Sequence, residues 1–285
     1  YLNKITLRAF KFNLESIEKG IRFYFILPQL QNYDVVQLIN SNAIETFPRW
    51  SISLLRKVFS KNHKIFLLIC GEETPIIDVL LKNNLKYSIL TPYFTNPKLK
   101  SQYDYSLKYV TKPYKKLYKF VSTRSNGILV SDLDYKIPMS QTQTNFTFIP
   151  NPINTDSIPF YPNSINDKIV IFHGVNKYSS IKKGSSFFDE ALIRIKEKYS
   201  TKVKVITATS LPYKDYQKAY SAAHIVLDQV YSFDQGYNAL EAMAKGKVVF
   251  TGAETAFTEH YNLSEKVAIN ALPDVDYLVN ELSHL

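Results

Sequence analysis

Lysine and glycine stand together just ahead of an amphipathic run: Lys177, then Lys182-Lys183-Gly184, then the helical pattern of residues 186–199. An ammonium group beside a helix start is chemistry for a pyrophosphate. The lysine supplies charge, and first-turn N–H groups supply donors within the field of the helix. Gly184 allows close backbone approach, and Gly174, Asn176 and Lys177 belong to the loop that follows the apolar run 168–173. A second anion-ready start lies at Asp234-Gln235-Gly236-Tyr237-Asn238, where a glycine closes a loop and a helical pattern begins. Glu241 falls about one turn into that helix at about 1.5 Å per residue, so it can reach a ribose diol while the N–H groups face phosphates. A third segment, 207–213, follows a strand and precedes a helix. Thr207, Pro212 and Tyr213 there suit a nucleobase resting on backbone and an aromatic ring. His173, at a strand end, is the histidine placed to act in a cleft. Each feature has a plainer reading: a solvated basic loop, an exposed helix carboxylate, a structural histidine.

These residues need a scaffold that brings loops together, and the pattern provides one. Continuous apolar runs at 34–40, 64–71, 127–131, 168–173, 203–207, 225–228 and 247–251 read as strands covered on both faces, as in a parallel sheet. Helical patterns separate them. One carries Ile52, Leu55, Val58 and Phe59; another spans 186–199, with Ser186 and Asp189 as a capping box; others open after Pro212 and at Tyr237. Alternation of this kind predicts right-handed parallel α/β units whose ligands sit beyond the carboxyl ends of the strands. A helix is expected from Ile5 to Leu27 with a break near Gly20. Residues 87–90 read as extended, Pro92 and Pro97 as loop markers, and 103–121 as helical with an interruption at Pro113. The proline-rich exit Pro150-Asn151-Pro152-Ile153-Asn154 divides the chain into domains 1–153 and 154–285.

Bulk properties narrow the classes. With 285 residues, 45 % of them apolar and 21 % charged, the chain has the composition of a soluble globular protein. Its one cysteine, Cys70, cannot form an intrachain disulfide, suits a reducing compartment, and is expected to be a buried thiol. No apolar run reaches the length of a membrane span, and no secretory signal is visible. The net charge of +10 asks for nucleic acid, an anionic membrane surface or a phosphorylated substrate as partner, unless it reflects base composition of the genome. Lys108-Tyr109, Lys112 and the run 114–119 interleave lysine with aromatics. That pattern serves anionic membrane surfaces or nucleic acid, and equally an ordinary amphipathic helix.

The ordered set Ile149-Pro150-Asn151-Pro152-Ile153-Asn154, Lys183-Gly184, Ile225-Val226-Leu227-Asp228 and Leu240-Glu241-Ala242-Met243-Ala244-x-Gly246 resembles the retaining GT-B glycosyltransferases of the group 1, family 4-like kind. It is most similar to a branch common in Bacteroidetes polysaccharide clusters. The resemblance spans about residues 34–280, and its most specific block is Leu-Glu-Ala-Met-Ala-x-Gly. It implies an α/β fold of two Rossmann-like domains, parallel sheets flanked by helices, with the donor domain second.

The resemblance further implies a hexosyl-type transferase that moves a sugar from a UDP- or GDP-linked donor to a carbohydrate or lipid-linked acceptor. Retention and independence of metal ions go with it. No cofactor beyond the donor substrate is expected, and a cytoplasmic site is expected, with the lysine–aromatic stretch of the first domain as a peripheral attachment to the inner membrane face. Lys183 matches the lysine that holds the donor diphosphate; His173 is added as a catalytic candidate on its strand-end position alone. Glu241 matches the second glutamate of the Glu-x7-Glu motif, which binds the ribose. The first glutamate falls on Phe233, so either Asp234 or Gln235 substitutes or that role is absent, and the arginine after the domain's first strand is replaced by Val175 and Asn176, with Lys177 nearby. The opening strand and glycine turn and the closing helices are not visible, so the first domain is expected to be incomplete at its start and the chain shortened at both ends. A catalytically silent nucleotide-binding scaffold is the alternative; nucleic-acid binding ranks behind both.

Overall fold

The computed structural model of the chain describes residues 13–165, 167–209 and 211–285. Its contacts divide into two units. The first comprises Tyr1–Lys82, Lys100–Ser131 and Tyr135–Pro150; the second comprises Asn83–Leu99, Asp132–Asp134 and Asn151–Leu285.

In the first unit, α1 (Leu14–Ile26) is followed by β1 (Val35–Leu38), α2 (Pro48–Lys61), β2 (Lys64–Ile69), α3 (Thr74–Leu80), α4 (Lys112–Ser122), β3 (Gly127–Val130) and β4 (Thr147–Phe148). The four strands are parallel in the order β1-β2-β3-β4. Pro48 starts α2 because a missing N–H costs nothing in a first turn, and Pro113 sits in the first turn of α4 for the same reason. The expected interruption at Pro113 is therefore a helix start. Helix α1 runs unbroken through Gly20. That glycine is buried against α2, where a Cβ would stand 2.5 Å from the Trp50 ring, so it serves helix packing. The part of the expected helix from Ile5 to residue 12 lies outside the described residues. Cys70 is exposed just past β2, with Sγ 3.6 Å from the Ile39 carbonyl, because the buried face of the strand ends at Ile69. In α4, Leu117, Phe120 and Val121 are buried while Lys112, Lys115, Lys116 and Lys119 face solvent. The lysine–aromatic interleaving of that stretch is thus amphipathic packing.

In the second unit, β5 (Ile169–Val175), α5 (Ser185–Lys198), β6 (Val203–Thr209), α6 (Tyr213–Ser221), β7 (Ile225–Leu227), α7 (Tyr237–Ala244), β8 (Val248–Thr251), α8 (Thr255–His260), β9 (Ile269–Asn270) and α9 (Val275–His284) alternate. Five parallel strands lie in the order β6-β5-β7-β8-β9. Successive strand residues point to opposite faces. Ile171, Ile225, Leu227 and Phe250 pack with Phe188, Leu192 and Leu278 on one side. Phe172, Val226 and Val249 pack with Tyr220, Ala239 and Ala242 on the other. Two covered faces are why these strands read as unbroken apolar runs.

Residues 83–99 lie before the proline-rich exit yet pack with the second unit. Tyr87 is buried in its core, its ring 5.2 Å from that of Phe233, and its hydroxyl hydrogen-bonds Glu254, which also takes Lys86 at 2.8 Å. Residues 87–90, read from sequence as extended, form a loop, and Pro92 opens the short helix Thr91–Thr95. Pro97 likewise opens the 3-10 turn Pro97–Tyr103.

Candidate functional site

The strand order of the second unit reverses between β5 and β7. The chain leaves β5 toward β6 on one side, and leaves β7 toward β8 and β9 on the other. Connections that part in this way open a crevice at the carboxyl ends of the two strands. The short turn Ser180–Lys183, after β5, and Asp228, after β7, stand on its two sides.

Lys183 Nζ lies 2.7 Å from Asp228 Oδ1. Asp228 is buried, and its carboxylate is otherwise satisfied by Asn238 Nδ2 at 3.2 Å on Oδ1 and Thr251 Oγ1 at 3.3 Å on Oδ2. Asn238 is in the first turn of α7 and is held in turn by Tyr216, whose hydroxyl donates to Oδ1 at 2.8 Å, and by Tyr220, whose hydroxyl donates to the main-chain carbonyl at 2.5 Å. One carboxylate thus fixes the ammonium beside the start of α7. The Lys183 side chain remains 31 % exposed, and an ammonium has three donors, so it can engage a ligand while still bound to Asp228.

Gly184 has φ +68°, and a Cβ would meet Val230 Cγ2 at 2.3 Å. The Val230 N–H also donates to the Lys183 carbonyl at 3.0 Å. Gly184 therefore docks the lysine turn against residues 230–231 and caps it, and α5 starts at Ser185 with no side-chain cap, so the Ser186–Asp189 capping box does not form. Gly236 differs. Its φ is −81° and nothing lies within 4 Å of a notional Cβ, so neither backbone nor packing asks for glycine ahead of α7. Gly174 is close-packed, with the Tyr216 ring and hydroxyl 3.1 Å from a notional Cβ.

Glu241 sits one turn into α7 from Asn238, half-buried, its Oε1 2.8 Å from Lys245 Nζ. Lys245 is buried between Gln217 Oε1 at 3.1 Å and the Tyr220 ring at 4.7 Å, which locks the Glu241 rotamer. Asp228 thus joins Lys183 to Asn238, on the same helix as Glu241. Asn176 and Lys177 are exposed in the loop after β5, where Asn176 Oδ1 accepts from the Tyr178 N–H at 2.9 Å and shapes a turn. Tyr237 is exposed at the first position of α7.

Other expected contacts fall elsewhere. His173 is fully buried: it follows Ile171 by two residues, so it points to the α5 face, edge-on to Phe188 at 5.4 Å. Asp189 Oδ1 is 3.6 Å from its Nε2, and burial outweighs that attraction and lowers its pKa. His173 is a neutral interior residue and faces no cleft. Asp234 and Gln235 do not replace the glutamate expected at 233. Both are buried, Asp234 accepting the N–H groups of Leu133 at 3.0 Å and Gln235 at 2.7 Å, and Gln235 Nε2 donating to the Gly252 carbonyl at 2.6 Å. Burial raises the Asp234 pKa. Thr207 is exposed within β6, which extends to Thr209, on the edge strand of the sheet. Pro212 is exposed and Tyr213 opens α6, while Ser210 of that segment lies outside the described residues.

Two contributors escape sequence reasoning. Asp228 has a sequence signal, a lone carboxylate ending an apolar strand, while Tyr216 has none. A further carboxylate, Asp134, accepts the Phe233 N–H at 2.7 Å and contacts Ser232 Oγ. Burial raises its pKa to about 7. The same hydroxyl is 2.6 Å from the Asp234 carbonyl, and one hydroxyl proton cannot serve two acceptors. Protonated Asp134 donating to Ser232, and Ser232 to the carbonyl, resolves the conflict.

No protein-family model and no curated protein sequence matches the chain. Solved structures do. The chain is similar to a sucrose-phosphate synthase from Thermosynechococcus elongatus, at 14 % identity and a TM-score of 0.54, covering 88 % of this chain and 64 % of that one. It is similar to TarM of S. aureus in complex with Fondaparinux, alpha-GlcNAc-glycerol and UDP, at 12 % identity and a TM-score of 0.52, covering 92 % and 50 %. It is also similar to a UDP-forming alpha,alpha-trehalose-phosphate synthase from Burkholderia xenovorans in complex with glucose-6-phosphate, at 13 % identity and a TM-score of 0.54, covering 94 % and 68 %. The chain thus spans about half to two thirds of the length of these structures. At such identities the likeness establishes the fold, two Rossmann-like α/β units with parallel sheets flanked by helices, as in GT-B proteins.

Proposed function

We propose that the chain transfers a sugar from a nucleotide-diphosphate donor to a carbohydrate or lipid-linked acceptor. The observation that carries this reading is the Lys183–Asp228–Asn238 linkage, which holds an ammonium and a helix N-terminus on one carboxylate at the strand-order reversal. A UDP- or GDP-linked donor would place its diphosphate against Lys183 and the α7 start, with Glu241 taking the ribose hydroxyls. Two of the structurally similar proteins are described as UDP-bound or UDP-forming, which favours this ligand class.

In the reaction, the bond between the anomeric carbon and the diphosphate oxygen breaks and a bond to the acceptor oxygen forms. The acceptor proton passes to the departing diphosphate. Lys183 and the helix N–H groups stabilise the charge that grows there. Asp228 and Asn238 hold those donors in place before the reaction, so little reorganisation accompanies it. No base is assigned to His173, which is sealed in the α5 face. Retention of configuration and independence of metal ions are proposed on the resemblance alone.

One observation favours a second reading, a nucleotide-binding scaffold without turnover. Phe233 stands where the resemblance expects a glutamate, and its ring packs on Tyr87. Calorimetric titration with UDP and GDP, followed by donor hydrolysis and transfer assays, separates the two. Binding with turnover supports the transferase, and binding alone supports the scaffold. No binding of either nucleotide at millimolar concentration overturns both.

A further inference from the structure

We infer that the first unit docks on an anionic lipid bilayer through the outer side of α1 and the adjoining ends of α2 and β2, with an apolar cleft beside that surface for an acyl chain. This extends the proposed function by stating where a lipid-linked acceptor would be met, and it is read by an assay independent of nucleotide binding.

Charge is the first ground. The first unit carries 19 Lys and Arg against 8 Asp and Glu, and the second carries 16 against 17. The whole excess lies on the first unit, so a pressure acting on the entire chain, such as base composition, does not account for it. Helix α2 alone bears Arg49, Arg56, Lys57 and Lys61 with no carboxylate.

The second ground is apolar exposure beside those cations. On α1, Ile21, Tyr24, Phe25 and Ile26 are 45, 51, 72 and 45 % exposed; after it come Tyr33 at 50 % and Val35 at 56 %. Tyr33 and Val35 also line an adjoining cleft of about 270 Å³ whose walls include Phe23, Leu30, Val36, Leu55 and Val58. Lysines rim it. Lys57 Nζ is 5.1 Å from the Tyr24 ring centroid, the Lys61 carbonyl accepts the Asn32 N–H at 2.8 Å, and Lys64 is the register partner of Val35. Carboxylates on or next to these elements are Glu15 and Glu45, paired with Lys19 at 2.8 and 2.5 Å, Glu18, paired with Arg22 at 2.7 Å, and Asp34. Tyrosine and phenylalanine at the level of lysine ammonium groups is the arrangement of an interfacial surface. Apolar groups enter the headgroup boundary there while cations stay with lipid phosphates. A nucleic acid would use the charge but leave Phe25 and the cleft without a partner.

The test is cosedimentation of the full chain with vesicles of phosphatidylcholine alone, or containing about one third phosphatidylserine. The wild type is expected to sediment with the anionic vesicles and not with the neutral ones. Tyr24→Ser/Phe25→Ser and Lys57→Gln/Lys61→Gln/Lys64→Gln are each expected to weaken that binding about tenfold or more. Unchanged melting and UDP binding in both variants show that they are folded. Equal binding to both vesicle types, absence of binding, or wild-type binding by the Tyr24/Phe25 variant would overturn the proposal. So would retention of duplex DNA with no vesicle binding, or a dimer that the Tyr24/Phe25 variant abolishes without any effect of lipid. If UDP fails to bind while the vesicle results hold, the proposed function falls and the docking face stands.

Discussion

Lys183 and Asp228, 45 residues apart, form an ion pair of 2.7 Å across the point where the strand order of the second sheet reverses. The pair does two things at once. It neutralises a carboxylate that is almost wholly enclosed, and it holds an ammonium at the crevice before any ligand arrives. A buried charge left without its partner is costly, whereas losing both charges is tolerated. Lys183→Met is therefore expected to destabilise the protein by about 3 kcal/mol, and Lys183→Met/Asp228→Asn to recover much of that. UDP binding should be lost in both. Denaturant titration checks the first expectation and calorimetry the second; a double variant that binds UDP like the wild type would remove Lys183 from the site.

Gly184 and Gly236 look alike in sequence and should respond oppositely to alanine. At Gly184 the positive φ costs about 1–2 kcal/mol for any L-residue, and the Val230 contact adds to it. Gly184→Ala should lower stability by about 3 kcal/mol. Gly236→Ala should leave stability within about 0.5 kcal/mol, since its φ is ordinary and the space is open. It should weaken UDP binding about tenfold by crowding the approach to the α7 N–H groups. Melting curves and nucleotide titrations of the two variants give the comparison directly.

Glu241 is assigned to the ribose, so its removal should discriminate between ligands. Glu241→Gln is expected to weaken UDP about tenfold while inorganic pyrophosphate binds as before. Equal losses for UDP and pyrophosphate would mean that Glu241 acts through Lys245, which it meets at 2.8 Å, and not on the sugar ring.

Asp134 gives a pH signature. Its folded pKa, raised to about 7 by burial, lies above the ordinary carboxylate value of about 4. The folded state then binds more protons than the unfolded state between those values. Its stabilising contribution is full below about pH 4, and is lost as pH rises through 7. Asn at this position keeps an acceptor for the Phe233 N–H and a donor for Ser232. Asp134→Asn should thus match the wild type near pH 4 and exceed it by about 4 kcal/mol at pH 8. Chemical unfolding at the two pH values measures this; parallel pH profiles for the two proteins would mean that Asp134 is ionised at pH 7.

Seven of the described strands, all but the two-residue β4 and β9, were legible in the chain, because a strand covered on both faces must be apolar throughout, as at Ile225-Val226-Leu227. The sequence also placed Lys183 and Glu241 near helix starts, since glycine before an amphipathic run is a local signal. Tertiary structure decided everything that depends on which face a side chain meets. His173 looked like a cleft residue because it ends an apolar run, yet its place two residues after Ile171 put it under α5. Asp234 and Gln235 looked available because they are polar and in a loop, yet main-chain groups brought near by folding hold both. Residues 83–99 looked like part of the first domain because they precede the prolines, yet Tyr87 is buried in the second. Periodicity along a chain reports how an element is covered; only the folded molecule, which sets residues 45 apart at hydrogen-bonding distance, shows what does the covering.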